Sequence, residues 1–154
     1  MLDPEVAGEI GERTIYENYD AITTKGERPI ISHLHFVFMG WLGDDILEVT
    51  PCFLISEKLK QAIEKSELKG YKLQNIEISL SEAYEEMYPD REKPCFYRLL
   101  PQGTISVQDE MYSNWDNMDF CVTEKSYLVL SEKAINILNC FRLDNADITE
   151  IFPR

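Results

Sequence analysis

The 154-residue chain has few positive charges: lysine and arginine together number 15, against 28 aspartates and glutamates, which gives a net charge of -13 at pH 7. A field of this sign repels phosphate groups, so we expect neither direct nucleic-acid binding nor attraction to an anionic membrane surface. A basic protein surface would instead be attracted, and its encounter with the chain accelerated. Solubility alone is the other explanation for so acidic a composition.

Glycine and cysteine are also scarce, with seven and four residues. The sequence contains no Gly-rich phosphate loop, no Rossmann fingerprint, and neither the H-E-x-x-H nor the G-x-S-x-G motif. No two cysteines form a C-x-x-C pair, and Cys52, Cys95 and Cys121 lie beside aromatic or β-branched residues. They are typical of small buried hydrophobic residues rather than of zinc ligands or disulfides. We expect no cofactor.

Long apolar runs are missing as well. The longest, residues 36–42, is too short to span a bilayer. Residues 1–5 have neither the basic stretch nor the apolar stretch of a signal peptide. We therefore expect a cytoplasmic protein, and the length fits a single domain over 1–154.

The hydrophobic pattern predicts an α+β fold, with helices packed on a mixed or antiparallel sheet. Residues 1–28 are polar and acidic and suggest an irregular lead-in or a short helix, and 109–120 is rich in Asn and Asp and suggests a loop. The predicted regular elements are strands at 30–38, 52–55 and 71–78, helices at 57–67 and 81–88, and a hairpin pairing 96–100 with 104–107.

An internal repeat is the most specific feature of the sequence. Residues 53–55 lead into Ser56-Glu57-Lys58 as residues 127–130 lead into Ser131-Glu132-Lys133, at a constant offset of 75 residues. Six apolar positions match in this register: Ile55 with Leu130, Ala62 with Ile137, Ile63 with Leu138, Leu68 with Leu143, Leu73 with Ile148, and Ile76 with Ile151. The pattern predicts a strand, a serine helix cap, an amphipathic helix and a return strand, used twice over about 52–78 and 127–152.

This doubled strand–Ser-Glu-Lys–helix pattern resembles a group of bacterial immunity proteins encoded beside polymorphic toxins. In that group a strand enters a helix through a hydrophobic–hydrophobic–Ser-Glu-Lys/Arg step, and the chain ends in a second copy. The matching segments cover roughly a third of this chain. The resemblance implies that the protein binds a cognate toxin domain and occludes its active site, without identifying the toxin.

Candidate interface residues combine aromatic anchors with acids. Residues 77–119 hold ten acids against three bases, a charge suited to entering a basic cleft. A local core position is the other interpretation of Trp115, and a core position is the ordinary interpretation of Trp41, which lies in the apolar run 36–42. The predicted partner-binding residues are Asp109, Glu110, Tyr112, Trp115, Asp116, Asp119, Trp41, Asp44, Asp45, Glu85 and Glu86.

Two other functions remain open on the sequence. His33 and His35 form an H-x-H that places both rings on one face of a strand, within reach of one metal ion, as a small metal-dependent enzyme requires. The bland interpretation is that the two rings line a polar face. An acidic adaptor or structural subunit is the third possibility, and we predict no catalytic residues.

Overall fold

The computed structural model describes residues 1–154 and contains four helices and seventeen short strands. The helices are α1 Tyr19–Lys25, α2 Glu57–Lys65, α3 Glu82–Met87 and α4 Glu132–Leu138. The strands are β1 Leu2–Asp3, β2 Gly8–Ile10, β3 Ile15–Tyr16, β4 Ile31–His33, β5 His35–Phe38, β6 Ile46–Val49, β7 Cys52–Ser56, β8 Tyr71–Gln74, β9 Glu77–Leu80, β10 Phe96–Pro101, β11 Gly103–Thr104, β12 Ser106–Gln108, β13 Met111–Ser113, β14 Phe120–Val122, β15 Leu128–Leu130, β16 Asp147–Ile148 and β17 Phe152–Pro153.

The strands form five small sheets rather than the one predicted. The larger two have the orders β11-β14-β15-β1-β16 and β6-β7-β10-β8, and the smaller three are β12-β13-β17, β2-β5-β9 and β3-β4. Most pairs are antiparallel, but β5 with β9, β11 with β14 and β13 with β17 are parallel. The α+β class is confirmed; three of the five sheets are mixed, and the β6-β7-β10-β8 and β3-β4 sheets are antiparallel.

Both repeat units have the predicted strand, serine cap and helix. Ser56 and Ser131 cap α2 and α4 by accepting the backbone N–H of Leu59 and Ala134. These hydroxyls satisfy donors that the first helical turn otherwise leaves without partners. Ser81 caps α3 in the same way, as predicted for 81–88.

The two units share one hydrophobic core. Leu59 and Ile63 of α2 are fully buried, and so are Ala134 and Leu138, which occupy the same positions 75 residues later in α4. Burying each of the leucine and isoleucine side chains contributes roughly 1.5–3 kcal/mol. The apolar faces of the two predicted amphipathic helices therefore pack into the core that the two units share.

Strand partners differ from the prediction at several places. Residues 96–100 and 104–107 do not form a hairpin, since both edges of β10 are occupied by β7 and β8. Residues 103–104 instead pair with β14, and residues 106–108 pair with β13. The segment 109–120, predicted as a loop, thus contributes one strand.

Two predicted strands are each divided between sheets. Residues 30–38 break at Leu34 into β4 and β5, and residues 71–78 break after Gln74 into β8 and β9. The second break falls where the alternation of apolar side chains fails. Residues 1–28 hold three strands besides α1, and β1 lies inside the five-stranded sheet, between β15 and β16.

The longest helix, α2, has nine residues, and no helix has the length and apolar character needed to cross a bilayer.

Candidate interaction site

Each unit begins with a tryptophan that closes a turn. Trp41 Nε1 donates to the carbonyl oxygen of Asp44 at 2.9 Å, and Trp115 Nε1 donates to that of Met118, also at 2.9 Å. The spacing of three residues is the same in both turns. The structure therefore extends the repeat toward the N-terminus as far as the two tryptophans. We call residues 41–69 the first unit and residues 115–142 the second unit.

An aspartate follows each tryptophan by four residues and anchors the serine cap. Ser56 Oγ donates to Asp45 Oδ1 at 2.7 Å, and Ser131 Oγ donates to Asp119 Oδ1 at 2.6 Å. The serine lies eleven residues after the aspartate in the first unit and twelve residues after it in the second. This one-residue difference in the hairpin hides the tryptophans and aspartates from a repeat search at a constant offset.

The second carboxylate oxygen of each aspartate binds the other unit. Asp45 Oδ2 accepts the backbone N–H of Arg142 at 2.9 Å, and Asp119 Oδ2 accepts that of Lys69 at 2.7 Å. In return, the backbone N–H of Asp45 donates to the carbonyl oxygen of Arg142 at 2.8 Å, and that of Asp119 donates to the carbonyl oxygen of Lys69 at 3.0 Å. The two units thus exchange matching contacts across an approximate twofold axis.

Asp44 and Asp45 are not surface residues, which corrects their assignment to a partner interface. They are 0% and 1% exposed. Asp44 accepts both the backbone and the side-chain N–H of Asn145, at 2.8 and 2.9 Å. Because buried carboxylates need such donors, these acids serve the fold.

Asp116 and Asp119 also make structural hydrogen bonds. Asp119 is half-buried and serves as the second-unit anchor described above. Asp116 is exposed, and its carboxylate accepts the backbone N–H of Thr104 at 2.8 Å and of Met118 at 3.1 Å. Desolvation raises the pKa of Asp116, but the N–H donors of Thr104 and Met118 outweigh that effect and hold the pKa below its usual value.

The two tryptophans have different surroundings. Trp41 is half-buried and packs edge-on against Phe96, with ring centroids 5.4 Å apart. The guanidinium of Arg91 covers it at 4.2 Å from the ring centroid. Trp115 touches one aromatic ring, that of Tyr112 at 6.0 Å, and remains 37% exposed.

Trp115 and Tyr112 line a concave apolar surface. A cavity of about 310 Å³ lies beside them, and a second of about 350 Å³ shares Leu130, Glu132 and Ile151 with the first. We call the two together the trough. Its other lining residues are mostly apolar: Met1, Leu2, Ile105, Met118, Cys121, Val129, Ser131, Ile135, Ile148, Thr149, Glu150 and Phe152.

Charge in the trough has one sign among the side chains. Glu132 and Glu150 supply the charged side chains of its lining, and no lysine or arginine contributes, but the lining also includes Met1, whose amino group donates to the carbonyl oxygen of Thr149. An apolar concave surface with a partly exposed tryptophan and a carboxylate at its rim has the composition of a protein-binding site.

Cys121 is the one thiol of the trough. Burial, together with the charge of Asp116, raises the pKa of Cys121 to about 12. The thiol is therefore protonated at neutral pH and does not supply a nucleophilic thiolate. Cys52 is buried as predicted, but Cys95, predicted to be buried, is exposed, and so is Cys140.

The remaining predicted residues lie apart from the trough lining. Asp109 and Glu110 form the turn between β12 and β13 and border a separate cavity of about 380 Å³, together with Lys125 and Arg154. Glu85 and Glu86 are exposed on α3, whose next residue, Met87, borders a groove beside Trp41. The structure thus places Tyr112 and Trp115 in the trough, whereas the four acids named here lie elsewhere.

His33 and His35 both meet the ion pair of Arg13 and Glu77. Arg13 Nε lies 2.6 Å from Glu77 Oε1, and His33 Nε2 lies 3.0 Å from Glu77 Oε2. His35 is buried. Its Nδ1 accepts the backbone N–H of Arg13, and its Nε2 lies 2.8 Å from Ser79 Oγ and 3.2 Å from Arg13 Nη2.

The surroundings of His35 favour its neutral form. Burial, and next the positive charge of Arg13, lower the pKa of His35. No group of three or more His, Cys, Asp or Glu side chains converges as a metal site in residues 1–154.

Comparison of the chain with protein-family models, curated proteins and solved structures finds no match. The resemblance to immunity proteins therefore rests on the two Ser-Glu-Lys steps and the repeat around them.

Most apolar residues of the trough escaped the sequence analysis. Leu130, Ile148 and Ile151 were visible only as matching positions of the repeat, which predicts a core location. Tertiary packing instead places them at a concave surface, where Ile148 is 49% exposed. The neighbouring Phe152, 56% exposed, belongs to the same surface.

Proposed function

We propose that the protein acts by binding another protein in the trough beside Trp115. The observation that carries this proposal is the trough itself: two adjoining cavities, of which the first is lined by a partly exposed tryptophan. Aromatic side chains in concave, partly desolvated positions are the usual anchors of protein interfaces. The carboxylates of Glu132 and Glu150 favour a partner segment that is apolar and basic.

We further propose that the partner is a toxin domain and that this chain is its immunity protein. The doubled Ser-Glu-Lys unit supports this class of partner. The net charge of -13 supports it as well, because a toxin that acts on an anionic substrate has a basic cleft that an acidic protein can enter. Binding in the cytoplasm is favoured by four cysteines that are all free thiols.

A binding experiment with the toxin domain encoded beside this chain tests the proposal. We expect one-to-one binding by calorimetry and relief of growth arrest when the two are expressed together. Trp115→Ala removes the aromatic wall and is expected to weaken binding by at least 2 kcal/mol, about thirtyfold. Ile151→Lys, which puts a positive charge into the trough, should weaken it similarly.

A matched control is Tyr19→Ala, since Tyr19 is an aromatic residue 62% exposed on α1, outside the trough lining. It should leave the affinity unchanged. Thermal unfolding of each variant separates a binding defect from loss of fold, and Asp116 is left intact because it holds a turn. Wild-type affinity in both trough variants would rule out the trough as the interface.

A further inference from the structure

A cation from outside the first unit covers the tryptophan of that unit. The guanidinium of Arg91 lies over the ring of Trp41, and its other neighbour is the ring of Tyr88, at 4.7 Å. Arg91 Nη1 also donates to the carbonyl oxygen of Trp41 at 2.9 Å. A planar cation is thus held by an indole, a tyrosine and a backbone acceptor.

Trp115 of the second unit has a tyrosine nearby but no cation, although Tyr112 is not the repeat equivalent of Tyr88. Trp115 occupies the position of Trp41, with the same indole hydrogen bond three residues on. Tyr112 lies beside it, at 6.0 Å. No lysine or arginine of the chain stacks on Trp115, and its carbonyl oxygen accepts no hydrogen bond from another residue.

We infer that Trp115 and Tyr112 receive an arginine side chain of the partner, in the way that Trp41 and Tyr88 hold Arg91. This inference rests on the proposed function and names the chemistry of the partner segment. The carboxylate of Glu132 in the adjoining trough favours a cation there. Arginine is preferred over lysine because its flat guanidinium can stack on a ring while donating hydrogen bonds in the ring plane.

The chain supplies an internal control, since it has two tryptophans and therefore two indole N–H signals in a proton–nitrogen NMR spectrum. The probe is the blocked peptide acetyl-Gly-Arg-Gly-amide, titrated into the full chain at low salt. We expect a saturable shift of the Trp115 indole signal and none of the Trp41 signal, whose ring is already covered. The matched peptides carry lysine, or the uncharged citrulline, in place of arginine.

The citrulline peptide, which has no positive charge, should bind roughly fivefold more weakly, a difference of the size of one exposed cation–π contact. The lysine peptide should bind with an affinity between the two, because its ammonium keeps the charge but cannot stack flat on a ring while donating hydrogen bonds. Equal shifts with all three peptides, or no saturable shift with the arginine peptide, would overturn the inference. In Arg91→Ala, the arginine peptide should also shift the Trp41 signal. Arg91→Gln serves the same purpose if the alanine variant unfolds.

An unresponsive Trp41 in a folded variant would overturn the equivalence of the two rings on which the inference depends. The outcome is separate from that of the toxin experiment. A toxin domain that fills the trough without arginine would leave the proposed function intact while the peptide result fails. Arginine-selective peptide binding without any binding of the toxin domain would support the arginine site and contradict the proposed function.

Discussion

Asp45 and Asp119 make the same three kinds of hydrogen bond in different surroundings. Each accepts a serine hydroxyl and a backbone N–H of the opposite unit, but Asp45 is 1% exposed and Asp119 is half-buried. The cost of losing the carboxylate depends on whether water can reach the donors left behind. Asp45 also forms an ion pair with Lys58 Nζ at 3.3 Å, which Asp119 lacks, so the two aspartates differ in burial and in this one exposed cation.

We expect Asp45→Ala to lower the free energy of unfolding by about 3 kcal/mol, because it leaves buried donors without acceptors. Asp119→Ala, the matched variant, should cost about half as much, since water can replace its carboxylate. Urea unfolding followed by circular dichroism measures both. A larger loss at Asp119 than at Asp45 would contradict the assignment.

At the residue scale, the sequence shows which side chains can accept hydrogen bonds but not which residues donate to them. The acids at 44 and 45 looked like a charged turn, yet their donors come from Arg142 and Asn145, about a hundred residues later in the chain. Nothing local marks such a contact. Tyr112 and Trp115 were predicted as interface aromatics, with a local core position left open for Trp115, which is 37% exposed in the structure.

Local signals decide which elements could be foreseen. A serine cap and a stripe of apolar residues lie within a few residues of each other, so α2, α3 and α4 were predicted. The partner of a strand is chosen by packing over long distances, so the 96–107 hairpin was wrong. Strands of two to four residues, as in β11 or β16, give too few positions for an alternation to show.

The turn between β12 and β13 offers a test at the scale of an element. Asp109 and Glu110 both have positive φ, 51° and 61°, in a two-residue hairpin loop that glycine favours. We expect Glu110→Gly to raise the free energy of unfolding by about 1 kcal/mol, because a non-glycine residue is strained there. Thermal unfolding measures it.

Glu110→Ala is the control for that experiment, since it removes the charge and keeps the strain. It should leave stability nearly unchanged. If alanine stabilises the protein as much as glycine does, charge repulsion at the turn, rather than backbone strain, is the cause.

At the scale of the whole molecule, the net charge affects the rate of association with the proposed partner. With a net of -13, association with a basic toxin domain should be steered over distances beyond direct contact. We expect the association rate constant to fall roughly tenfold between 50 and 500 mM salt, with a much smaller change in the dissociation rate. Stopped-flow fluorescence of Trp115 can follow the reaction, and a rate indifferent to salt would remove charge from the proposal.

The exchanged aspartate contacts have a consequence for how such a protein could begin. A chain with a single unit would leave its aspartate carboxylate without the backbone N–H that the other unit donates, unless a second molecule supplied that N–H. Within one chain, the reciprocal contacts have the form of the isologous interface of a homodimer. The two tryptophan turns differ nevertheless, because Arg91 covers Trp41 whereas no lysine or arginine of the chain stacks on Trp115.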